Sequence, residues 1–191
     1  MSILKAILIP GNGNATPQDN WFPYLERQLP KLAIIVINQQ FPDPMLAREK
    51  FWLPFIKKLG ADENTILIGH SSGAIAALRF AEKNKIFGSV LVGAYCTDLG
   101  DENEKKSGYF SRPWDWKSIK NNQKWIIQFA SSDDPFIPIE EPRQLHKQLG
   151  TDYHEYQNQK HFGHGSSPKI EFPELLEVLK QFNNTRPGKL Y

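Results

Sequence analysis

The chain has 191 residues, with 23 lysines and arginines against 21 aspartates and glutamates, a formal charge of +2. Apolar residues make 40% and charged residues 23%, which excludes a disordered or collagen-like chain and fits one compact domain over 1–191. Charge this near neutral, with no basic stripe, argues against a nucleic-acid binder. Apolar runs such as Ala33–Ile37 fall far short of the roughly 18 residues a membrane span needs, and the single cysteine, Cys96, points to a reducing compartment, the cytoplasm.

Short apolar runs alternate with longer amphipathic ones. Ile3–Ile9 is too short for a signal-peptide core and reads as a first strand, closed by Pro10-Gly11-Asn12-Gly13-Asn14. Asn20 is placed to cap a helix over Trp21–Leu29, with Phe22, Leu25 and Leu29 at helical spacing. A strand at Ala33–Ile37 follows. Pro44 then opens a helix through Lys58, which Pro54 should kink. Thr65–Ile68 reads as a strand, Gly73–Glu82 as an Ala-rich helix and Phe87–Gly93 as a further strand. Tyr95–Trp116 breaks the rhythm. A connection that long is usually functional, and its Tyr109, Phe110, Trp114 and Trp116 suggest a flap over a pocket, against the alternative that the rings are core packing for a long connection. A strand over Trp125–Ala130, a helix over Glu140–Leu149, a more polar edge strand over Asp152–Gln157 and a helix over Phe172–Phe182 complete the chain. The alternation predicts an α/β fold: a doubly wound, mainly parallel sheet of about six strands in a three-layer sandwich.

The sharpest local signal is Gly69-His70-Ser71-Ser72-Gly73, placed between a strand and a helix. Gly-x-Ser-x-Gly in that context is a nucleophile elbow: the serine sits on a strained turn, and the helix N-terminus faces the reacting carbonyl. The bare pattern arises by chance about 0.06 times in a chain this long, taking Gly and Ser each near 7%. The bland reading is an ordinary tight turn. A serine hydroxyl needs a base and an acid to steer it, which on such a sheet follow in the order acid, then histidine. Both slots are filled. Asp133 and Asp134 follow the fifth strand, and His161 and His164 follow the sixth. Asp133 and Asp134 alone would read as turn formers; the order gives them value. Among the other histidines, His146 falls on a surface helix, His154 within a strand, and His70 reads as structural. No HExxH-type spacing occurs, so no metal is expected, and the chemistry requires no cofactor. The oxyanion donors would be the backbone N–H groups of Ser72 and Asn12.

Three other features of the sequence admit rival readings. Gly11-x-Gly13 begins a dinucleotide fingerprint, but Thr16 replaces its third glycine and Asn38 stands where an acid should close the second strand. Cys96 as a nucleophile competes with Cys96 as a small buried hydrophobe. Asp98, Asp101, Glu102 and Glu104 read as a solvated or loop-bracing acidic face, against a carboxylate pair for glycoside chemistry that nothing further in the sequence supports.

The chain resembles the retinoblastoma-binding protein 9 family of serine hydrolases, a compact branch of the α/β-hydrolase superfamily. The likeness rests on Ile9-Pro10-Gly11-Asn12-Gly13, Pro42-Asp43-Pro44, the elbow, the stretch Asp98–Glu104 with Ser107-Gly108-Tyr109-Phe110 and Arg112-Pro113-Trp114, Asp133-Asp134-Pro135-Phe136, and His161-Phe162. It implies Ser71 as nucleophile, Asp134 as acid and His161 as base. His164 stays the alternative, because Lys160 replaces the family's usual glycine before the histidine and an extra stretch surrounds 164–170. The namesake Leu-x-Cys-x-Glu motif falls on Leu59–Glu63, with Ala61 in the cysteine position, so retinoblastoma-type binding is not expected. The combined expectation is a monomeric serine hydrolase for small ester, thioester or amide substrates. Its pocket would be formed by Tyr109, Phe110, Trp114, Trp116, Phe136 and Phe162, with no nucleic-acid or membrane partner. The rival is a non-catalytic interaction module on a hydrolase scaffold.

Overall fold

The computed structural model describes residues 3–163 and 168–184, with side chains through 182. Six strands run parallel in one sheet: β1 Leu4–Ile9, β2 Ile34–Ile37, β3 Thr65–His70, β4 Gly88–Val92, β5 Ile126–Ser131 and β6 Asp152–Tyr156, in the spatial order β2-β1-β3-β4-β5-β6. β3, β4 and β5 are buried along their whole length, which accounts for their near-continuous apolar sequences. The polar β6 lies at an edge, as its sequence predicts.

Alternate residues of each strand feed two cores. Ile7, Ile9, Leu67 and Leu91 face helices α2 (Glu49–Lys58), α3 (Ser72–Ala81), α5 (Trp116–Asn121) and α6 (Glu140–Leu149). Ala6, Leu8, Ile68, Val90, Val92 and Phe129 face α1 (Phe22–Gln28) and α7 (Pro173–Asn184). The chain therefore leaves β1 toward one face and β3 toward the other. The neighbouring carboxyl ends of β1 and β3 form the switch point where a crevice opens in doubly wound sheets.

Some boundaries differ from the sequence expectation. α2 begins at Glu49 rather than Pro44, because Asp43 first closes a turn, accepting from the Arg48 backbone N–H at 3.1 Å and from its guanidinium at 2.8 and 2.9 Å. Asn20 has φ 51° and does not cap α1. Tyr95–Trp116 contains a short helix, α4 (Glu102–Ser107), whose N-cap Asp101 accepts from the backbone N–H groups of Asn103 and Glu104. No helix among the described residues is long and apolar enough to cross a membrane.

Candidate active site

Ser71 sits between β3 and α3 with φ 54° and ψ −124°, a conformation that non-glycine residues rarely adopt. The turn is held by Ser71 N–H donating to the Val92 carbonyl at 2.9 Å. Its glycines are fixed by contact. A Cβ on Gly69 would lie 2.3 Å from the Gly73 carbonyl oxygen, and one on Gly73 would lie 2.2 Å from the Ile9 carbonyl oxygen. Without side chains there, α3 can close against β1 and lift Ser71 to the carboxyl edge of the sheet.

The loops after β5 and β6 meet beside it. Asp134 Oδ1 accepts from the backbone N–H groups of Phe136 (2.9 Å) and Ile137 (3.1 Å). That leaves Oδ2 for His161 Nδ1, at 2.6 Å. Both side chains are buried, at 3% and 7% exposure, so the hydrogen bond forms away from competing water. With Asp134 as a carboxylate, the proton lies on Nδ1 and Nε2 carries the lone pair.

Asp133 does different work. It accepts from the Ser131 hydroxyl at 2.5 Å and from Lys160 N–H at 3.1 Å, tying the two loops together. The Ser131 hydrogen bond holds its carboxyl below the ordinary aspartate range. His164 lies outside the described residues.

His70, read from the sequence as structural, fixes the histidine loop. Its Nε2–H donates to the His161 carbonyl at 2.8 Å, and the two rings lie 4.8 Å apart. Trp21 Nε1–H donates to the next carbonyl, that of Phe162, at 3.1 Å. Gly93 leaves room for the imidazole: a Cβ there would come within 3.0 Å of His161 Cε1.

Ser71 and His161 line one cavity of about 880 Å³, bounded by Asn12 and its neighbours on one side and by Pro135, Phe136 and Ile137 on the other. Of the six aromatic residues expected in the pocket, Phe136 lines it, half exposed and edge-on to His161 at 5.3 Å. The other five do not. Phe162 is buried and stacked on Phe172. Tyr109, Phe110, Trp114 and Trp116 pack on the α2–α3 core. The connection that carries them is not a flap, because it is pinned by a buried cation. Arg79 of α3 donates to the carbonyls of Tyr109, Arg112 and Pro113, pairs with Glu82 at 2.5 Å, and lies 3.6 Å from the Trp114 ring centre. An arginine in an otherwise apolar helix was the signal in the sequence for this anchor.

Of the two places expected for Glu104, a solvated face or a loop brace, it takes the second. It is 7% exposed and lines the cavity wall. Its Oε2 accepts from the Tyr95 hydroxyl and its Oε1 from Asn12 Nδ2, each at 2.8 Å, while the Tyr95 oxygen lies 3.2 Å from Ser72 Oγ. Burial raises the Glu104 carboxyl above the ordinary glutamate range. Asp101-x-x-Glu104 is a helix-start pattern legible in the sequence, but it does not tell which way the glutamate turns.

Burial, reinforced by the Glu141 carboxylate, pushes the Cys96 thiol up to about 12, which leaves it protonated and weak as a nucleophile. Among the described residues, no group of three or more His, Cys, Asp or Glu side chains could hold a metal ion.

A family model described as serine hydrolase matches residues 6–181. The chain belongs to the serine hydrolase family. It is 44% identical over 179 residues to Serine hydrolase RBBP9 of Rattus norvegicus, covering 92% of this chain and 94% of that one. It is 26% identical to the putative hydrolase YdeN of Bacillus subtilis, over 83% of this chain and 86% of the relative. The crystal structure of the B. subtilis ydeN product shares the fold, with a TM-score of 0.82 at 24% identity over 95% of this chain and all of that one. A carboxylesterase structure from Nitrososphaera gargenis has a TM-score of 0.70 at 12% identity, over 94% and 89% of the two chains. The family resemblance read from the sequence and the α/β-hydrolase fold both stand, and the chain is a hydrolase.

Proposed function

We propose that this chain cleaves small ester, thioester or amide substrates through an acyl-enzyme formed on Ser71. The Ser71 oxygen attacks the carbonyl carbon while His161 Nε2 takes the hydroxyl proton. Asp134 holds the imidazole in the required tautomer and stabilises the imidazolium. Backbone N–H groups of Ser72, in the first turn of α3, and of Asn12 receive the developing oxyanion. His161 then delivers its proton to the leaving group, which departs as alcohol, thiol or amine. Water, deprotonated by the same imidazole, releases the acid and restores Ser71. The Ser71 hydroxyl makes no hydrogen bond among the described residues, and hydrogen bonds between catalytic groups often tighten only in the complex with substrate.

The observation that carries this reading is the buried 2.6 Å Asp134–His161 hydrogen bond, facing the same cavity as a serine held at φ 54°. A merely structural histidine would have no need to line a cavity beside such a serine. Pre-steady-state hydrolysis of p-nitrophenyl acetate tests it. A burst of about one nitrophenolate per chain is expected, and Ser71→Ala should abolish it and lower kcat by about 10⁶. Burst and turnover that survive Ser71→Ala would move the nucleophile elsewhere. Absence of both in the wild type on a panel of short esters would favour the non-catalytic interaction module.

A further inference from the structure

A buried carboxylate beside an oxyanion hole is a poor choice on charge alone, since it opposes the negative charge that the site must stabilise. Glu104 nevertheless lines the cavity and is nearly sealed from water. Its two oxygens take one donor each, from Asn12 and from Tyr95. Tyr95 is fully buried, and burial with the Glu104 charge pushes its phenol well above the ordinary value, so it stays a donor. Its single proton goes to Glu104. The 3.2 Å contact to Ser72 must then run the other way, with the Ser72 hydroxyl donating to the Tyr95 oxygen. The result is a directed chain: Ser72 to Tyr95 to Glu104, with Asn12 donating from the far side.

The two ends of that chain are Ser72 and Asn12, the residues proposed to supply the oxyanion N–H groups. They come from different segments, the start of α3 and the loop after β1. The β1 loop is otherwise held by Gly13 N–H to Met45 and Asn14 N–H to Pro44, both at 3.1 Å and both beyond Asn12. Resting on the serine-hydrolase reading of this site, we propose that Glu104 is a positioning residue that clamps the two oxyanion donors at a fixed separation, directly through Asn12 and through Tyr95 to Ser72.

The clamp is a matter of geometry, and this separates it from a role for the charge. In Glu104→Gln the amide oxygen can face Asn12 while the amide NH₂ donates to Tyr95, and the Tyr95–Ser72 bond reverses because either hydroxyl can donate. The clamp survives and the opposing charge is gone. In Glu104→Ala both donors lose their acceptor. Tyr95→Phe cuts only the arm to Ser72 and leaves the arm to Asn12.

The test measures kcat and KM for p-nitrophenyl acetate per active site, titrated with a fluorophosphonate, together with the phosphonylation rate. Glu104→Ala is expected to lower kcat and the phosphonylation rate together by about 10- to 100-fold, with KM within about threefold. Glu104→Gln should restore kcat to within about threefold of wild type or above it. Tyr95→Phe should fall between, and it carries the test if Glu104→Ala fails to fold. Unchanged kcat per titrated site in Glu104→Ala or Tyr95→Phe would overturn the proposal and leave Glu104 a packing residue. A raised KM with kcat held, or no rescue by glutamine, would overturn it in favour of a substrate contact made by the charge. A wild-type chain that takes no fluorophosphonate at Ser71 would instead sink the hydrolase mechanism itself.

Discussion

Asparagine in place of Asp134 changes one atom's chemistry and little of its shape. In the wild type, Oδ1 accepts from two backbone N–H groups, those of Phe136 and Ile137, and Oδ2 accepts from His161 Nδ1. An asparagine must keep its oxygen on the two N–H groups, because turning its NH₂ there would set donors against donors. The NH₂ is therefore forced toward His161 Nδ1, which must become an acceptor. The imidazole proton moves to Nε2, the atom proposed to take the serine proton. The proposed base stays in place and is disabled. A wrong-tautomer histidine costs about 10⁴ in kcat in a serine-protease triad, or about 5 kcal/mol of barrier at 1.36 kcal/mol per tenfold. Stability should fall by only about 1–2 kcal/mol, since both loops keep their hydrogen bonds and lose one charge-assisted contact. Steady-state hydrolysis of p-nitrophenyl acetate per titrated site gives the rate, and the downfield Nδ1 proton resonance of His161 reports the tautomer. Loss of the resonance with a rate within tenfold of wild type would refute the reasoning. So would a collapse of stability that accounts for the lost activity.

Three further outcomes follow from the geometry. Lys160 is exposed and held at φ 49°, a left-handed backbone that disfavours a side chain by about 1–2 kcal/mol, so Lys160→Gly should raise stability by about 0.5–1 kcal/mol in urea titrations; a loss of more than 1 kcal/mol would contradict it. Arg79→Met leaves the buried Glu82 without its close cation and the Tyr109 carbonyl without its donor, and should cost about 3–5 kcal/mol, lowering Tm by on the order of 10 °C; calorimetry showing a shift under about 3 °C would argue against the anchor. Burial raises the Glu104 carboxyl, so the folded chain holds that proton to higher pH than the unfolded one. The linked stability is fully present below the unfolded value and is lost as pH rises through the folded one, so wild type should lose stability relative to Glu104→Gln as pH rises above the ordinary glutamate range, whereas parallel curves would refute the shift.

The strands and their layering were legible because burial on both faces forces continuous runs of Ile, Val and Leu, and the polar Asp152–Tyr156 marked itself as an edge. The elbow was legible because close backbone approach at Gly69 and Gly73 leaves a pattern in consecutive residues. Asp134 and His161 could be placed by chain order, which a parallel sheet turns into neighbouring loops. What the sequence hid was orientation across long separations. Asp133 and Asp134 are alike as residues, and only the fold turns one toward Ser131 and the other toward His161. Glu104 reads as one acid among four until α4 turns it onto Tyr95 and Asn12. The aromatic cluster stayed open between pocket and core because rings suit both equally, and the deciding contact comes from Arg79, about thirty residues upstream.

Intact-mass analysis after brief exposure to a fluorophosphonate tests the central claim most directly, because it needs no knowledge of the substrate. The account predicts a single phosphonyl adduct per chain, mapped by peptide sequencing to Ser71 and lost in Ser71→Ala. An adduct on any other residue, or an unmodified wild-type chain, would contradict it.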